Sequence, residues 1–470
     1  MMGGVEERTE HNLAAENAAL RSEVARLQAK NAALQVQVAQ QGAELAAALE
    51  RLAELERRGQ ETPGFVKPNR PKPEGERRPR KKRAAEHNTS RQRLTPTRQV
   101  RHALERCPEC QYELRGESID YTREVIELPA PQAVEVIEHR VVKRWCPCCA
   151  AWRSPQLDLK GQVFGHGRIG VRIAALVAYL RTKLRLPIRQ IQEYLQTLHN
   201  LRLSIGEIVE LTHTVRRELQ PEMDTLLTAV QASPVTHGDE TGWRENGQNG
   251  YVWGFLGVAA QPVYYFVYHQ SRASRIPQGI LGLHFQGHLI SDFYGGYNVI
   301  RGPHQRCWVH LLRDLHALKE AYAETPAVLT WAASVRALYD EGTLWLQEHV
   351  TPTDGECQEQ YDDLLARART LGEQYALTDH PCRALAKRIL RHQDELFQFV
   401  RHPGVPADNN RAERALRPLV IMRKISGGSR SDEGSKTRLT LFSLVSTWTA
   451  RGLNPFSHCL SLLQSAAAPP

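Results

Sequence analysis

"PVTHGDETGWRENGQNGYVWGFLGVAAQPVYYFVYHQ", residues 234–270, is the stretch that decides the fold. It predicts a short strand that ends in acids, followed by two strands rich in valine and aromatic residues. A helix is predicted within 274–283, another strand within 287–297, and a run from strand into helix over 305–320. This order of elements predicts a mixed α/β sheet.

Two of the predicted strands end in an aspartate, Asp239 and Asp292. If these strands are neighbours, we expect the two carboxylates to lie side by side at one edge of the sheet, where α/β proteins bind ligands. Two close carboxylates repel each other unless a cation lies between them. Mg²⁺ fits because it binds one or two carboxylates and completes its shell with water and phosphate oxygens.

A third acid lies in "DNNRAERALRP", residues 408–418, which predicts a helix capped by Asp408 or Asn409. Glu413 lies at the edge of the apolar stripe of this helix, so it can face the sheet while Arg414 and Arg417 reach towards phosphates. The predicted stripe comprises Ala412, Leu416 and Leu419. A third carboxylate would complete a site for two metal ions about 3.5–4 Å apart, as in phosphodiester chemistry.

Each acid also has an ordinary structural interpretation. An aspartate at a strand end often caps a turn, and "SDFYGG" is compatible with a simple turn. Glu413 is also spaced for a helical salt bridge with Arg417. The three acids together, with metal-binding cysteines and a basic segment upstream, favour the catalytic interpretation.

Two cysteine pairs, "CPEC" at 107–110 and "CPCC" at 146–149, have the spacing of a tetrahedral zinc site in a reducing compartment. Cys148 competes with Cys149 for the fourth ligand position. The expected zinc ligands are Cys107, Cys110, Cys146 and Cys149. Between the pairs, residues 121–145 predict two strands around the turn "PAPQ".

Residues 12–58 predict a parallel two-stranded coiled coil with leucine at the d positions and asparagine or aliphatic residues at the a positions. The d leucines are Leu13, Leu20, Leu27, Leu34 and Leu55, and the a residues are Asn17, Val24, Asn31, Val38, Leu45 and Leu52. Gln41 and Ala48 weaken the d seam. The alternative is a single amphipathic helix packed on its own domain.

Residues 59–100 predict a disordered linker that is rich in proline, arginine and lysine. From Lys67 to Arg106 the chain has 14 Lys or Arg against four Glu, which exceeds the net charge of +9 of the whole chain. Such concentrated basicity indicates a polyanionic partner, because each neutralised phosphate releases a counterion. The expected phosphate contacts include Arg80, Lys81, Lys82 and Arg83.

Residues 167–220 predict helices, one with Pro187 in its first turn and one opened by a capping box of Ser204 and Glu207. Two short helices around a tight turn are compatible with a helix-turn-helix, although helical pairs are common. Residues 320–400 predict helices throughout.

Size and hydropathy limit the class of protein. A chain of 470 residues with 41% hydrophobic and 24% charged residues predicts two to four globular domains. We find no apolar run of about 18 residues and no apolar signal core, so we expect a cytosolic protein without a membrane span.

Taken together, these residues resemble transposases of the insertion-sequence-66 family, which are DDE recombinases with an RNase-H-like core. The most specific stretches are "GDETGWRENG" (238–247), "ISDFYGGY" (290–297), "QRCWVHLLRDL" (305–315) and "DNNRAERALRPLVIMRKISGG" (408–428). Gly242 and Trp243 depart from family members that have a proline after the "DET" stretch, so the neighbouring loop is expected to differ.

The resemblance implies a catalytic triad of Asp239, Asp292 and Glu413 with Mg²⁺ or Mn²⁺, and a helical insertion before the last of them. It implies cleavage of double-stranded DNA at the ends of a mobile element and attack of the freed 3′-hydroxyl on target DNA. Of its Cys-Trp-x-His segment, Cys307 and Trp308 are expected to pack in the core. Further DNA contacts are expected at His310, Arg313, Arg423 and Lys424, the last two followed by an "SGG" turn.

The expected architecture is a multidomain α/β protein whose RNase-H-like core follows a coiled coil, a zinc ribbon and a helix-turn-helix-like domain. The expected segments are 1–58 (coiled coil), 59–100 (linker), 101–160 (zinc), 161–230 (helical, DNA-binding), 231–322 (first part of the core), 323–402 (helical insertion) and 403–470 (end of the core). The expected setting is the bacterial cytoplasm at the nucleoid, as a homodimer or higher oligomer, with accessory proteins of the element as further candidates.

Two other functions use the same residues. An RNase-H-like nuclease would cut DNA without joining it to a target, and a DNA-binding regulator would have a catalytically inactive core. The coiled coil, the basic linker and the zinc segment favour an enzyme that assembles two DNA ends.

Overall fold

The computed structural model describes residue 18 and residues 20–42, 45–46, 49–50 and 95–466. These residues divide into two compact units after Ile126. Three predictions fall wholly or partly outside them: the heptad positions Leu13, Asn17, Ala48, Leu52 and Leu55, the linker of residues 59–100 up to residue 94, and the basic cluster from Arg80 to Arg83. Among the described residues, no helix has the length and apolarity needed to cross a membrane.

In the first unit, residues 20–42 form a helix, α1, as the heptad pattern predicts. All side chains over this range are exposed. The seam residues Leu27 and Val38 are 52% and 67% exposed, which would be unfavourable for an isolated helix in water. The coiled coil stays a prediction.

The second unit begins with a two-stranded hairpin, β1 (Arg144–Cys146) and β2 (Ala151–Arg153), across the second cysteine pair. Trp145 and Trp152 pack against each other across it, with ring centroids 5.8 Å apart. The predicted hairpin around "PAPQ" is wrong, because residues 114–143 form no strand. Val136, one of the alternating apolar residues after this turn, is 87% exposed. A two-stranded hairpin is stable only when another strand or a helix packs on its apolar face, and the alternating sequence does not show whether one does.

Four helices precede the sheet: α2 (Val171–Thr182), α3 (Ile188–His199), α4 (Ile205–Glu218) and α5 (Gln220–Gln231). The predicted capping box is confirmed, since Ser204 and Glu207 bond reciprocally to each other's backbone N–H. Pro187 is the N-cap of α3 and not part of its first turn. A shared core that includes Leu180, Ile191 and Ile208 holds α2, α3 and α4 together.

The predicted mixed sheet is present, with strand order β5-β4-β3-β6-β7. The strands are β3 (Val235–Glu245), β4 (Gln248–Val258), β5 (Val263–His269), β6 (His288–Ser291) and β7 (His304–Arg306), with α6 (Arg275–Leu281) between β5 and β6. The β3–β4 and β4–β5 pairs are antiparallel, and the β3–β6 and β6–β7 pairs are parallel.

The prediction that the first strand ends at Asp239 is wrong. The strand β3 continues to Glu245 and returns as β4 through Asn246 and Gly247, both with positive φ. An Asn-Gly turn of this kind matches the twist of a hairpin and lets the two strands pair to their ends. Asp239 therefore lies inside the strand.

A helical insertion follows the first part of the sheet, as expected. After α7 (Trp308–Ala321) it comprises α8 (Pro326–Glu348), α9 (Asp354–Ala376), α10 (Arg383–Arg391), α11 (Gln393–Leu396) and α12 (Gln398–Arg401). These helices share with α7 a separate core that includes Trp308, Trp331 and Leu364.

The chain then returns to the sheet with α13 (Asn410–Ser426), α14 (Asp432–Ala450) and α15 (Pro455–Ala466). The predicted stripe of Ala412, Leu416 and Leu419 is confirmed, and it packs against Trp243 and Val252 of the sheet. The helix α14 lies against β5, where the Phe266 N–H donates to Ser443 Oγ at 2.9 Å.

Candidate active site

The first two acids lie level on neighbouring strands. Each paired residue of β6 follows its partner in β3 by 53 positions, and Asp292 follows Asp239 by the same number. Asp292 comes directly after the last residue of β6. Because neighbouring strands are about 4.8 Å apart, the continued register brings the two carboxylates together.

The third acid approaches the same face of the sheet. Side chains alternate between the two faces of a strand, so Asp239 shares a face with Trp243. Trp243 is buried against α13, which also carries Glu413. The packing of α13 on β3 therefore places the helix that carries Glu413 over the face of the sheet that carries Asp239.

The proximity of the acids changes the acidity of Asp239. Burial, the adjacent Glu240 and the charges of Asp292 and Glu413 raise the pKa of Asp239 to about 8. Desolvation is the largest of these causes, and the like charges add to it. A bound cation would remove this repulsion.

Glu413 makes a different contact from the helical salt bridge considered above. Its Oε1 lies 3.7 Å from His310 Nε2 on α7, and the structure has no ion pair between Glu413 and Arg417. Glu413 Oε1 is buried and has no hydrogen-bond partner among the described residues. A buried oxygen without a donor is an unfavourable arrangement that a bound cation would relieve.

The turn interpretation of Asp292 holds for one of its oxygens. Asp292 Oδ1 accepts the Tyr294 N–H at 2.9 Å, and Asp239 Oδ1 accepts the Glu240 N–H at 2.9 Å. Within residues 95–466, the second carboxylate oxygen of each aspartate accepts no protein hydrogen bond. These local bonds fix the orientation of both carboxylates.

Asn409 joins the strand of the first acid to the helix of the third. His237 Nδ1 donates to Asn409 Oδ1 at 3.0 Å, and Asn409 Nδ2 donates to the Gly238 carbonyl at 2.8 Å. The Asn409 N–H donates to Cys307 Sγ at 3.1 Å, and Asn409 is 1% exposed. Burial lowers the pKa of His237 to about 4, so this histidine is neutral near pH 7.

The capping prediction needs a correction. Asn409 is the N-cap residue of α13, but its side chain does not cap the helix because it is bonded to β3. Asp408 accepts the Asn410 N–H at 2.9 Å and supplies the side-chain bond at this end. Tertiary hydrogen bonds therefore replace the local preference of Asn409.

A buried arginine supports the backbone of Asp292. Arg306 has no exposed side-chain surface, and it donates to the Asp292 carbonyl at 2.9 Å and to Glu395 Oε2 at 2.6 Å. It also donates to Ser291 Oγ at 3.2 Å and to Asn298 Oδ1 at 2.6 Å. Since Glu395 is in α11, Arg306 links the helical insertion to the strand end that carries the second acid.

The side chain of Glu240 lies on the face of β3 opposite to Asp239, where it forms structural contacts. It accepts from the Tyr297 hydroxyl at 2.7 Å and from Arg272 Nε at 2.8 Å. Its side chain is 3% exposed, and burial raises its pKa although both partners oppose that shift. Glu240 is therefore a buried structural partner of Arg272.

The predicted cationic contacts differ in their surroundings. Arg313, Arg414 and Arg417 are exposed and make no ion pair within residues 95–466. Lys424 is exposed. Arg423 Nη1 donates to the Gly242 carbonyl, so part of its guanidinium is held by β3.

The expected "SGG" loop lies on the end of the sheet. The Ser429 N–H donates to the Arg244 carbonyl at 2.8 Å, and the Asn246 N–H donates to the Ser429 carbonyl at 3.0 Å. Trp243 Nε1 donates to Ser429 Oγ at 3.2 Å. Trp243, which differs from the family members that have a proline after the "DET" stretch, therefore helps to hold this loop in place. Cys307 and Trp308 are both fully buried, which fits the packing interpretation.

Each cysteine pair forms a tight turn within its own unit. The backbone N–H groups of Cys110 and Glu109 lower the pKa of Cys107, and those of Cys149 and Cys148 lower the pKa of Cys146. The thiol of Cys149 also bonds to Cys146, which favours Cys149 over Cys148 as its partner. As the side chains stand, no group of three or more His, Cys, Asp or Glu in the described residues is close enough to hold a metal ion.

The fold and the site define a mixed α/β protein in which Asp292 and Glu413 lie near Asp239 on its sheet. Residues 166–437 match the family model described as "Transposase IS66 family", and residues 105–150 match the "zinc-finger binding domain of transposase IS66". The chain belongs to the IS66 family of transposases, and its zinc-finger domain indicates a structural zinc.

Two further similarities are weaker. The "Uncharacterized protein y4jO" of Sinorhizobium fredii (strain NBRC 101917 / NGR234) is 31% identical over 172 residues, which are 37% of this chain and 50% of that protein. The chain thus matches about half the length of this relative. A chain in the cryoEM structure of the simian T-cell lymphotropic virus intasome with PP2A regulatory subunit B56 gamma is 10% identical, with a TM-score of 0.14 over 33% of this chain and 66% of that one. We draw nothing from so low a score.

Sequence reasoning missed the residues that support the acids. The sequence predicts Asn409 only as a helix cap. It does not predict the ion pair of Arg306 and Glu395, because these residues are 89 positions apart along the chain. The contact between Arg306 and Glu395 forms only when the helical insertion packs against β7.

Proposed function

We propose that this protein is a DDE transposase that cleaves DNA at the ends of its element and joins the freed 3′-hydroxyl to target DNA. The observation that carries the proposal is the level register of Asp239 and Asp292, with Glu413 above the same face. The strand order, with three antiparallel strands followed by two parallel ones, is compatible with the proposed RNase-H-like core. The family membership supports the same reaction class.

Asp239, Asp292 and Glu413 would hold Mg²⁺ or Mn²⁺. Their carboxylate oxygens suit a hard cation, and both the raised pKa of Asp239 and the unpartnered Glu413 Oε1 fit a missing positive charge. When bound, such ions activate the attacking oxygen and stabilise the leaving oxygen of a phosphodiester.

The other residues bind and orient the DNA. Arg414 and Arg417 are exposed on the same helix as Glu413, where they can contact the phosphates on either side of the bond that is cut. Arg313 and His310 on α7 extend this surface, since His310 already contacts Glu413. Lys424 and the remaining donors of Arg423 lie near the C-terminal end of α13.

The N-terminal segments would bring two DNA ends together. Cys107, Cys110, Cys146 and Cys149 would bind Zn²⁺ in the recognition domain, and the basic linker would add sequence-independent affinity. The exposed seam of α1 supports a homodimer or higher oligomer. Accessory proteins of the element remain candidates as further partners, and the bacterial nucleoid is the corresponding location.

The direct test compares Asp239→Asn, Asp292→Asn and Glu413→Gln with the unchanged protein. Each variant should lose cleavage of labelled end DNA in Mg²⁺ by at least about 100-fold while it still binds DNA, because each loses a charged metal ligand but no phosphate contact. Glu240→Gln is the control for loss of a neighbouring acid that points to the opposite face. Wild-type cleavage by any of the three variants would remove that residue from the triad.

A strand-transfer assay on paired end fragments separates this function from the two alternatives. Cleavage without joining would favour an RNase-H-like nuclease. Equal activity of the unchanged protein and Asp292→Asn in an excision assay would favour a catalytically inactive regulator.

A further inference from the structure

A cavity of about 290 Å³ lies between the helical insertion and the strand end that carries Asp292. Four of its six lining residues come from α10, and three of these four are basic. The lining residues are Phe293, Ala384, Lys387, Arg388, Arg391 and His392.

The charge of this cavity is only partly compensated. The helix α10 has the sequence RALAKRILR, with four basic residues and no acid. Arg383 and Arg388 pair with Asp379 and Asp314. Lys387 and Arg391 are exposed and make no ion pair within residues 95–466.

Lys387 and Arg391 act on the same surface, because residues four positions apart lie one above the other on a helix. An ammonium attracts a phosphate as a point charge, whereas a guanidinium can bond two of its oxygens. Two such groups at the mouth of a cavity form a suitable site for a phosphate group.

One lining residue of the cavity, Phe293, is next to an acid in the chain. Phe293 follows Asp292 directly, so their Cα atoms are about 3.8 Å apart. The guanidinium of Arg388 lies over the Phe293 ring, 5.1 Å from its centroid, and His392 packs edge-on against that ring at 5.5 Å. His392 also bonds to Glu395, which holds Arg306.

We propose that Lys387 and Arg391 bind the phosphate backbone of the DNA strand next to the phosphate that is cut, which gives the helical insertion a DNA-binding role. The location beside the cut rests on the proposed function, but the binding itself does not. Backbone phosphates in DNA follow one another closely, so a strand held at the acids has further phosphates within reach of α10.

The test measures binding, without cleavage, by the full-length protein in the absence of added Mg²⁺. Affinities for short duplexes of unrelated sequences are determined between about 50 and 200 mM salt. The double variant Lys387→Ala/Arg391→Ala should reduce the slope of log affinity against log salt by about 2, one for each lost phosphate contact. All duplexes should be weakened to the same extent, and Lys387→Arg alone should keep the full slope.

Arg336→Ala is the matched control, because Arg336 is an exposed arginine of the same insertion outside the cavity. A slope and affinity of the double variant equal to those of Arg336→Ala would overturn the inference. Weakening of one sequence only would also overturn it, since phosphates carry no sequence information. Retained cleavage by the triad variants would refute the proposed function and leave this binding result standing.

Discussion

Arg306 is a charged side chain near the site that has no exposed surface. Its guanidinium is fully buried, and it bonds to four acceptors, of which only Glu395 carries a charge. A buried guanidinium is tolerated only when it is paired and fully hydrogen-bonded. Glu395 is therefore required for the stability of the strand end at Asp292.

Glu395→Ala should lower the free energy of unfolding by about 3 kcal/mol, the lower end of the cost of breaking a buried pair, because Glu395 is itself partly exposed. The variant is compared with the unchanged protein by urea unfolding at neutral pH. Asp340→Ala, which breaks the exposed pair with Arg336, should leave the midpoint almost unchanged.

The same pair predicts a pH dependence of stability. Although burial opposes ionisation of Glu395, its bond to His392 and the charges of His304 and Arg306 lower its pKa to about 2 from the usual 4.5. Its contribution is thus complete above pH 4.5 and is lost as the pH falls towards 2. Glu395→Ala should show a smaller fall in stability over this range, and an equal fall would contradict the assignment.

The three acids were candidates from their residue type, their places at predicted strand ends and on a helix, and the family resemblance, and their role as metal ligands stays a prediction. The sequence did not identify Asn409 as the residue whose hydrogen bonds join β3 to α13. An asparagine before a helix predicts a local cap, and only the folded chain brings Gly238 and His237 close enough to compete for its side chain.

At the scale of elements, β3 extends past its acid and forms a hairpin whose end is held by the loop after α13. Gly428 has a φ of +107° in this loop, and a Cβ there would lie 2.0 Å from the Arg244 carbonyl oxygen. Only glycine fits so close to another backbone. The end of the sheet and the end of α13 are therefore joined through this residue.

Gly428→Ala should destabilise the protein by about 3 kcal/mol or more, since the forbidden φ and the displaced hydrogen bonds add up. Gly427→Asn is the control, because Gly427 has a φ of +68°, a conformation that asparagine tolerates, and open space where a Cβ would lie. Urea unfolding of both variants checks the difference. Equal midpoints would show that the loop moves away from Arg244 without cost.

The order of strands and helices was predictable because alternation and aromatic content mark the strands. The end of β3 was not, because an acid predicts a strand end at Asp239 although an Asn-Gly hairpin signal follows seven residues later. The hairpin around "PAPQ" failed for the opposite reason: the alternation is present, but nothing covers its apolar side chains.

At the scale of the whole molecule, α1 has an apolar seam whose described side chains are all exposed. Leu27→Lys at a d position should convert a dimer into a monomer, because the coil cannot bury an unpaired charge at its centre. Ala29→Lys adds the same charge on the outer face of the helix and should leave the dimer intact. Sedimentation of both variants decides the matter, and a dimer that survives Leu27→Lys would rule out this seam.

The hydrogen bonds by which Asn409 joins α13 to β3 have a consequence for synthesis of the protein. Domains form as the chain emerges from its N-terminus, so the strands with Asp239 and Asp292 exist before Glu413 and the helix behind it have been translated. A nascent or prematurely terminated polypeptide thus has two acids and no third one to pair with them. On the proposed function, a polypeptide that stops before α13 lacks Glu413 and therefore cannot complete the catalytic site.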